Sequence, residues 1–200
     1  MSELRIAVHG ATGRLGLLVV EELGDGYAGP IEREGPVPDC DVVIDVSSAE
    51  GLVALLPRLS GQALVVGTTG DLPDLEPYAQ RAPVALVPNF SAGVPVLLDL
   101  LAQAVERLPD WDVEVVETHH RAKLDAPSGT ARRLVEAVGR AVPTHSLRVG
   151  DTFGEHTVWL SGPGERLELT HVATRREVFA IGAVRCARWL VNQPAGLHRL

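Results

Sequence analysis

The stretch RIAVHGATGRLGLLVVEEL, residues 5–23, decides the fold. Arg5 to His9 is a short apolar run with β-branched residues, and it stops at Gly10. Gly10, Gly13 and Gly16 punctuate the next seven residues, after which Leu17, Leu18, Val20, Glu21 and Leu23 keep helical spacing. The pattern predicts a strand, a glycine turn and a helix. Glycines so placed permit a tight turn and let a pyrophosphate approach the helix N-terminus, whose free N–H groups and dipole favour an anion. Glycines also serve as plain loop residues between any strand and helix, but the flanking elements here favour a dinucleotide. The spacing is GxxGxxG and not GxGxxG, which leaves the particular dinucleotide family open.

Further along, Val42 to Val46 is a nearly all-apolar run, as expected of a strand covered on both faces. Ala49 to Leu59 has helical spacing, and Ala63 to Val66 is another buried strand ending in Gly67-Thr68-Thr69-Gly70. Leu72 to Gln80 reads as a short helix, and Val84 to Val87 as a strand ending at Pro88-Asn89-Phe90. Strands alternating with helices predict an open, mostly parallel α/β sheet. Gly24 to Pro38 is loop-rich, with Glu32-Arg33-Glu34 as the stub of a second strand.

The texture changes near Ser91 to Val94, where a domain boundary is expected. Val94 to Leu108 predicts one helix, Asp112 to Thr118 a half-exposed strand, and Gly129 to Val142 a second helix. His156 to Leu160 and Arg166 to Thr174 alternate, the mark of an antiparallel sheet with one wet face. Val178 to Leu190 is a final amphipathic helix with a short tail, expected to pack back on the first domain. Residues 1–92 with the last helix, about 178–200, are thus assigned to one domain and 93–177 to another.

The 200 residues carry 46% hydrophobic and 22% charged side chains, which excludes wholesale disorder. No apolar run reaches the roughly 18 residues of a membrane span, and the start lacks a secretion-signal layout, so a cytoplasmic protein is expected. A net charge of −8 without a basic block disfavours nucleic acid. Cys40 and Cys186 are far apart and outside any CxxC, suggesting neither a disulfide framework nor a zinc site. Of the 18 basic residues, Lys123 is the only lysine. A coding bias explains the arginines. A lysine that survives such a bias is suited to what Arg cannot do, acting as a compact and titratable ammonium.

Lys123 lies in the densest polar cluster, ETHHRAKLDAPSGT over residues 117–130. His119 and His120 suit proton transfer, because imidazole titrates near neutral pH. As metal ligands they would point to opposite faces of a strand, with no third ligand nearby in sequence, so no metal is expected. Gly129 and Thr130 open a helix and offer an N–H and a hydroxyl to a carboxylate. The cluster asks for a small anionic substrate. For the dinucleotide, Glu32 and Arg33 lie 22 and 23 positions after Gly10, where an acid meets ribose hydroxyls and an Arg a 2′-phosphate.

Residues 117–131, ETHHRAKLDAPSGTA, resemble the signature of the dihydrodipicolinate (4-hydroxy-tetrahydrodipicolinate) reductase family. The resemblance covers nearly the whole chain, through GATGRLG, IEREG, DVVIDVSSAEG, VVGTTG, PNFSAGV, GEHTVWL, GERLELTH and FAIGAVRCARWL. It implies an N-terminal Rossmann-type doubly wound parallel sheet holding NADH or NADPH, and a mixed α+β domain for substrate binding and homotetramer assembly. It implies reduction of a cyclic dicarboxylate to tetrahydrodipicolinate in the diaminopimelate route of lysine biosynthesis. By position, His119 and Lys123 would be catalytic, and His120, Gly129 and Thr130 would bind substrate. Gly10, Ala11, Thr12, Gly13, Arg14, Leu15, Glu32, Arg33, Gly67, Thr68, Thr69, Val87, Pro88, Asn89 and Phe90 would bind the cofactor. The chain departs from the family pattern by being short, with only four residues between Glu34 and Asp39 and a trimmed segment between Arg140 and Arg148.

Two rivals are weighed against this reading. Short-chain-dehydrogenase chemistry needs Tyr-x-x-x-Lys, and neither Tyr27 nor Tyr78 precedes Lys123 by four residues. A non-catalytic dinucleotide-binding redox sensor is the remaining alternative, separated from an enzyme by one turnover assay.

Overall fold

Strand β1, Ile6–His9, runs into the glycine turn and helix α1, Arg14–Leu23, as the periodicity predicts. The computed structural model describes residues 4–199. They fall into two units, one running up to Phe90 and resuming at Glu177, the other Ser91–Arg176.

The first unit contains β2 Tyr27–Ile31, β3 Val42–Asp45, β4 Ala63–Val66, β5 Pro83–Leu86 and β10 Gly196–Arg199. With β1 they form a six-stranded sheet in the order β10-β5-β4-β3-β1-β2. Every neighbouring pair is parallel. All four residues of β1, β3 and β4 are buried, because helices cover both faces. On one face Val8, Ile44 and Val65 pack with Val19 of α1 and Val184 and Leu190 of α6, Glu177–Leu190. On the other, Val43, Leu64 and Val84 meet Leu52 and Leu55 of α2, Ala49–Leu55, and Tyr78 of α3, Glu76–Ala79. Each fully buried Leu, Ile or Val stabilises this core by about 1.5–3 kcal/mol, so the alternation along the strands fixes both layers.

Four expectations are corrected in this unit. The second strand is Tyr27–Ile31 and not a stub at Glu32-Arg33-Glu34, which lie exposed beyond its carboxyl end. Gly29 and Pro30 disguise its pattern, and a sheet edge tolerates both. The helix expected over 72–80 shrinks to α3, because Pro77 is accepted only in a helix's first turn. The helix expected over 49–59 gives way at Leu56 to a 3-10 turn containing Pro57. The tail after Val191 supplies strand β10.

The second unit contains α4 Gly93–Arg107, β6 Asp112–His119, α5 Gly129–Val138, β7 Thr144–Arg148, β8 Glu155–Gly162 and β9 Glu165–Val172. The sheet order is β7-β6-β8-β9. β8 is antiparallel to both neighbours, whereas β7 is parallel to β6. The helix expected over 129–142 stops at Val138, because Gly139 takes a left-handed φ of 74° that closes it. Strand β7 was not expected, since Thr144, Ser146 and Arg148 occupy the positions where apolar residues would have marked it.

The inner face of this sheet sets up the site. Val113 and Val115 of β6, Val158 and Leu160 of β8, Leu97 and Leu101 of α4, and Leu134 of α5 form its core. Side chains two apart on a strand share a face, so the alternation that buries Val113 and Val115 also buries Glu117 and His119. Register then aligns Ser146, Glu117, His156 and His171 in one row across the four strands. Among the described residues no helix is long and apolar enough to cross a membrane.

Candidate active site

In the first unit the residues proposed for the dinucleotide lie on the loops that follow β1, β2, β4 and β5, at the strands' carboxyl ends, with Arg14 and Leu15 in the first turn of α1. Open α/β sheets bind ligands at that edge. Gly10 has a φ of 83°, and a Cβ there would stand 2.7 Å from the Val46 carbonyl oxygen. A Cβ on Gly16 would run into the Gly10 carbonyl and stand 2.8 Å from Ala11 Cα. The Gly13 N–H donates to Gly10 O at 3.0 Å, Gly13 O accepts the Leu17 N–H at 2.9 Å as the N-cap of α1 with no side-chain cap, and the first turn holds no acidic residue. The result is a bare helix start under a tight backbone turn, which fits a pyrophosphate. Gly67 leaves room for the Phe90 ring, so the loops after β4 and β5 need each other's shape. Glu32 and Arg33 are exposed, and Arg58 steadies their loop through Arg33 O at 3.3 Å and Gly35 O at 3.0 Å.

Beside the glycine turn, the His9 Nδ1–H donates to Asp45 Oδ1 at 2.8 Å, and the Ser47 hydroxyl donates to the same oxygen at 2.6 Å. The Ser47 N–H donates to the buried Thr68 hydroxyl oxygen at 3.0 Å. The sequence reading missed His9, Asp45 and Ser47. A carboxylate closing the apolar run Val42-Val43-Ile44 was the available signal.

In the second unit β6 delivers His119, and the following turn and α5 deliver the rest of the predicted cluster. His119 is buried and its Nδ1 is paired with Glu117, a fully buried carboxylate. Glu117 Oε1 also accepts from Arg148 Nη2 at 2.8 Å and from the Ser128 N–H at 3.3 Å. Burial works to raise the Glu117 pKa, but hydrogen bonds from Arg148, Ser146 and His119 outweigh it and hold the carboxyl below its ordinary value. Burial lowers the His119 pKa below 6.5, with Glu117 opposing and Lys123 and Arg148 assisting. His156 meets the His119 ring edge-on, with centroids 5.1 Å apart. Its pKa falls to about 4, through burial first and the neighbouring charges second, so it is neutral near pH 7.

Lys123 Nζ pairs with Asp125 Oδ1 at 2.7 Å. The turn that carries it is tied down by Arg148, whose Nε donates to Lys123 O at 3.2 Å and whose Nη2 donates to Asp125 O. His120 lies just past the end of β6, half-buried. Gly129 and Thr130 form the first turn of α5, where Ser128 Oγ accepts the Ala131 N–H at 3.2 Å. The Ser128 hydroxyl is then free to donate to His156 Nε2, 3.2 Å away. Glu117, Arg148, Ser128, His156 and His171 were not singled out from sequence. The i, i+2 spacing of Glu117 and His119 on one strand was the signal for the first of them.

Glu117, His119 and His156 offer ligand-type atoms within 4.8 Å of one another. The Arg148 cation on Glu117 and the His119 hydrogen bond already use that carboxylate, so ion pairing and hydrogen bonding account for the cluster.

A glycine turn that fits a dinucleotide and a buried, carboxylate-held histidine in one chain match what a nicotinamide-dependent oxidoreductase requires. The comparisons with known proteins narrow this. A model of the family described as "Dihydrodipicolinate reductase, C-terminus" matches residues 93–200. A 4-hydroxy-tetrahydrodipicolinate reductase of Anaeromyxobacter dehalogenans is 43% identical, over 92% of this chain and 76% of its own. One from Archaeoglobus fulgidus is 37% identical, over 94% and 95%, in an alignment of 243 positions that reflects the shorter chain here. Dipicolinate-bound dihydrodipicolinate reductase from Paenisporosarcina sp. TG-14 shares the fold, with a TM-score of 0.78 at 20% identity over 98% and 97% of the two chains. The chain belongs to the 4-hydroxy-tetrahydrodipicolinate reductase family.

Proposed function

We propose that this chain reduces 4-hydroxy-tetrahydrodipicolinate to tetrahydrodipicolinate, with loss of water, in the diaminopimelate route to lysine. The observation that carries the reading is His119, a buried imidazole held by a carboxylate one turn away from the only lysine. Reduced nicotinamide supplies a hydride when bound. The glycine turn from Gly10 to Leu15 would receive the pyrophosphate, Glu32 and Arg33 the adenosine ribose, and residues 67–69 and 87–90 the rest of the dinucleotide. His119 delivers the proton that completes reduction of the ring. Lys123, His120, Gly129 and Thr130 hold the two carboxylates, Lys123 as an ammonium and Gly129 through an N–H in the first turn of α5.

With Glu32 and Arg33 side by side, both NADH and NADPH bind. The exposed outer face of the four-stranded sheet, with Trp159 at 39% exposure, is the proposed surface of a homotetramer. A reaction fed by the biosynthetic nicotinamide pool belongs in the cytoplasm. The purified chain is tested with freshly generated substrate, following NADH absorbance and product. Absence of NADH oxidation by folded protein overturns the proposal, and light scattering tests the tetramer separately.

A further inference from the structure

A histidine that hands over a proton needs its transferable proton on one defined nitrogen. We propose that Glu117 is the positioning residue that sets this for His119, fixing the hydrogen on Nδ1 and reserving Nε2 for the delivered proton. The inference rests on His119 being the proton donor.

Glu117 is fully buried, and a buried carboxylate is tolerated only when paired and hydrogen-bonded. It accepts from Arg148 Nη2 at 2.8 Å and from the Ser128 N–H at 3.3 Å, which keeps it ionised. An ionised carboxylate only accepts, so the imidazole nitrogen that faces it, Nδ1, must carry a hydrogen. The other nitrogen lies beside Gly154. A Cβ on Gly154, whose φ is 143°, would stand 3.2 Å from His119 Nε2. Arg148 meanwhile ties the same carboxylate to the main chain of the Lys123 turn, so one ion pair positions both groups.

The groups facing His119 are Glu117 on its own strand, Lys123 on the turn, Arg148 on β7 and neutral His156 on β8. Of the charged ones, only Glu117 favours the protonated imidazole; Lys123 and Arg148 oppose it. A purely structural Glu117 would anchor α5 and β7 without influencing which nitrogen carries the proton.

Glu117→Gln separates the two roles, because it keeps the shape and removes the charge. Proton donation requires the protonated ring, so kcat/KM falls as pH rises through the His119 pKa. Removing the charge that favours the proton should move this alkaline limb down by at least about one pH unit. kcat should fall at least about tenfold, while NADH affinity, a property of the other unit, stays unchanged. Imidazole 15N shifts of His119 should change from a single Nδ1–H tautomer to a mixture. That readout needs no turnover, so it stands even if the substrate assignment fails. Should Glu117→Gln not fold, Glu117→Asp withdraws the charge by one methylene and should move the limb part of the way. A folded variant with an unmoved limb and unchanged 15N shifts overturns the proposal.

Discussion

Lys123→Arg preserves the positive charge and changes the shape and proton affinity of the group that carries it. The turn itself should survive, because main-chain bonds hold it. The Lys123 N–H donates to His120 O at 3.0 Å, and Lys123 O accepts from Arg148 at 3.2 Å. The side-chain ion pair with Asp125 is half in solvent, with the aspartate 45% exposed. Such a pair contributes about 0.2–1 kcal/mol, and an arginine re-forms part of it, so the melting temperature should move by only a few degrees. The chemistry should suffer far more. A guanidinium stays protonated and needs more room than an ammonium, so it neither shares a proton nor fits as a point charge against a carboxylate. Loss of an acid–base or substrate-clamping contact lowers kcat by about 100-fold or more, equivalent to about 2.7 kcal/mol. That exceeds anything the ion pair alone can lose, so a large kcat drop at constant melting temperature isolates the catalytic contribution. The assay is steady-state NADH oxidation, paired with NADH titration by fluorescence and a thermal melt. Turnover within about tenfold of the parent would refute the reasoning and leave coding bias as the reason for a single lysine.

Three other outcomes follow from the geometry. Gly16→Ala forces a methyl group into the Gly10 carbonyl and should cost about 1–3 kcal/mol while abolishing NADH binding, read by melting and fluorescence titration. Arg33→Ala should weaken NADPH and spare NADH, because only NADPH carries a 2′-phosphate; equal losses in paired titrations would remove Arg33 from cofactor choice. The pKa of His156 is depressed to about 4 by burial, so the unfolded chain binds a proton there at pH values where the native chain does not. The stability it supports is complete above pH 6.5 and is lost as pH falls toward 4, by about 3 kcal/mol at 1.36 kcal/mol per pH unit. Denaturant melts at several pH values should show this slope flattened in His156→Gln.

By itself the sequence determined the class of the first unit and the grouping of the candidate residues along the chain of the second. Buried strands β1, β3 and β4 announce themselves as apolar runs because helices cover both their faces, and the glycine turn must look like one because Gly10 and Gly16 meet backbone. His119, Lys123, Gly129 and Thr130 were legible together because a strand end, a turn and a helix start carry them within a dozen residues. The edge strands β2 and β7 were not legible as strands: Gly29 and Pro30 interrupt one, and the other carries Thr144, Ser146 and Arg148 where apolar residues would have marked it. Strand β10, Gly-Leu-His-Arg, carries one apolar side chain and takes its place by pairing with β5. The support of His119 was decided by tertiary structure alone. Alternation assigns Glu117 to the inner face, but Arg148 lies 31 residues further along, and only the parallel register of β7 on β6 brings the guanidinium to that carboxylate. His156 reaches the same row through the antiparallel register of β8. Local periodicity fixes the face a side chain occupies, whereas the partner it meets there depends on strand register, which packing of the whole core sets.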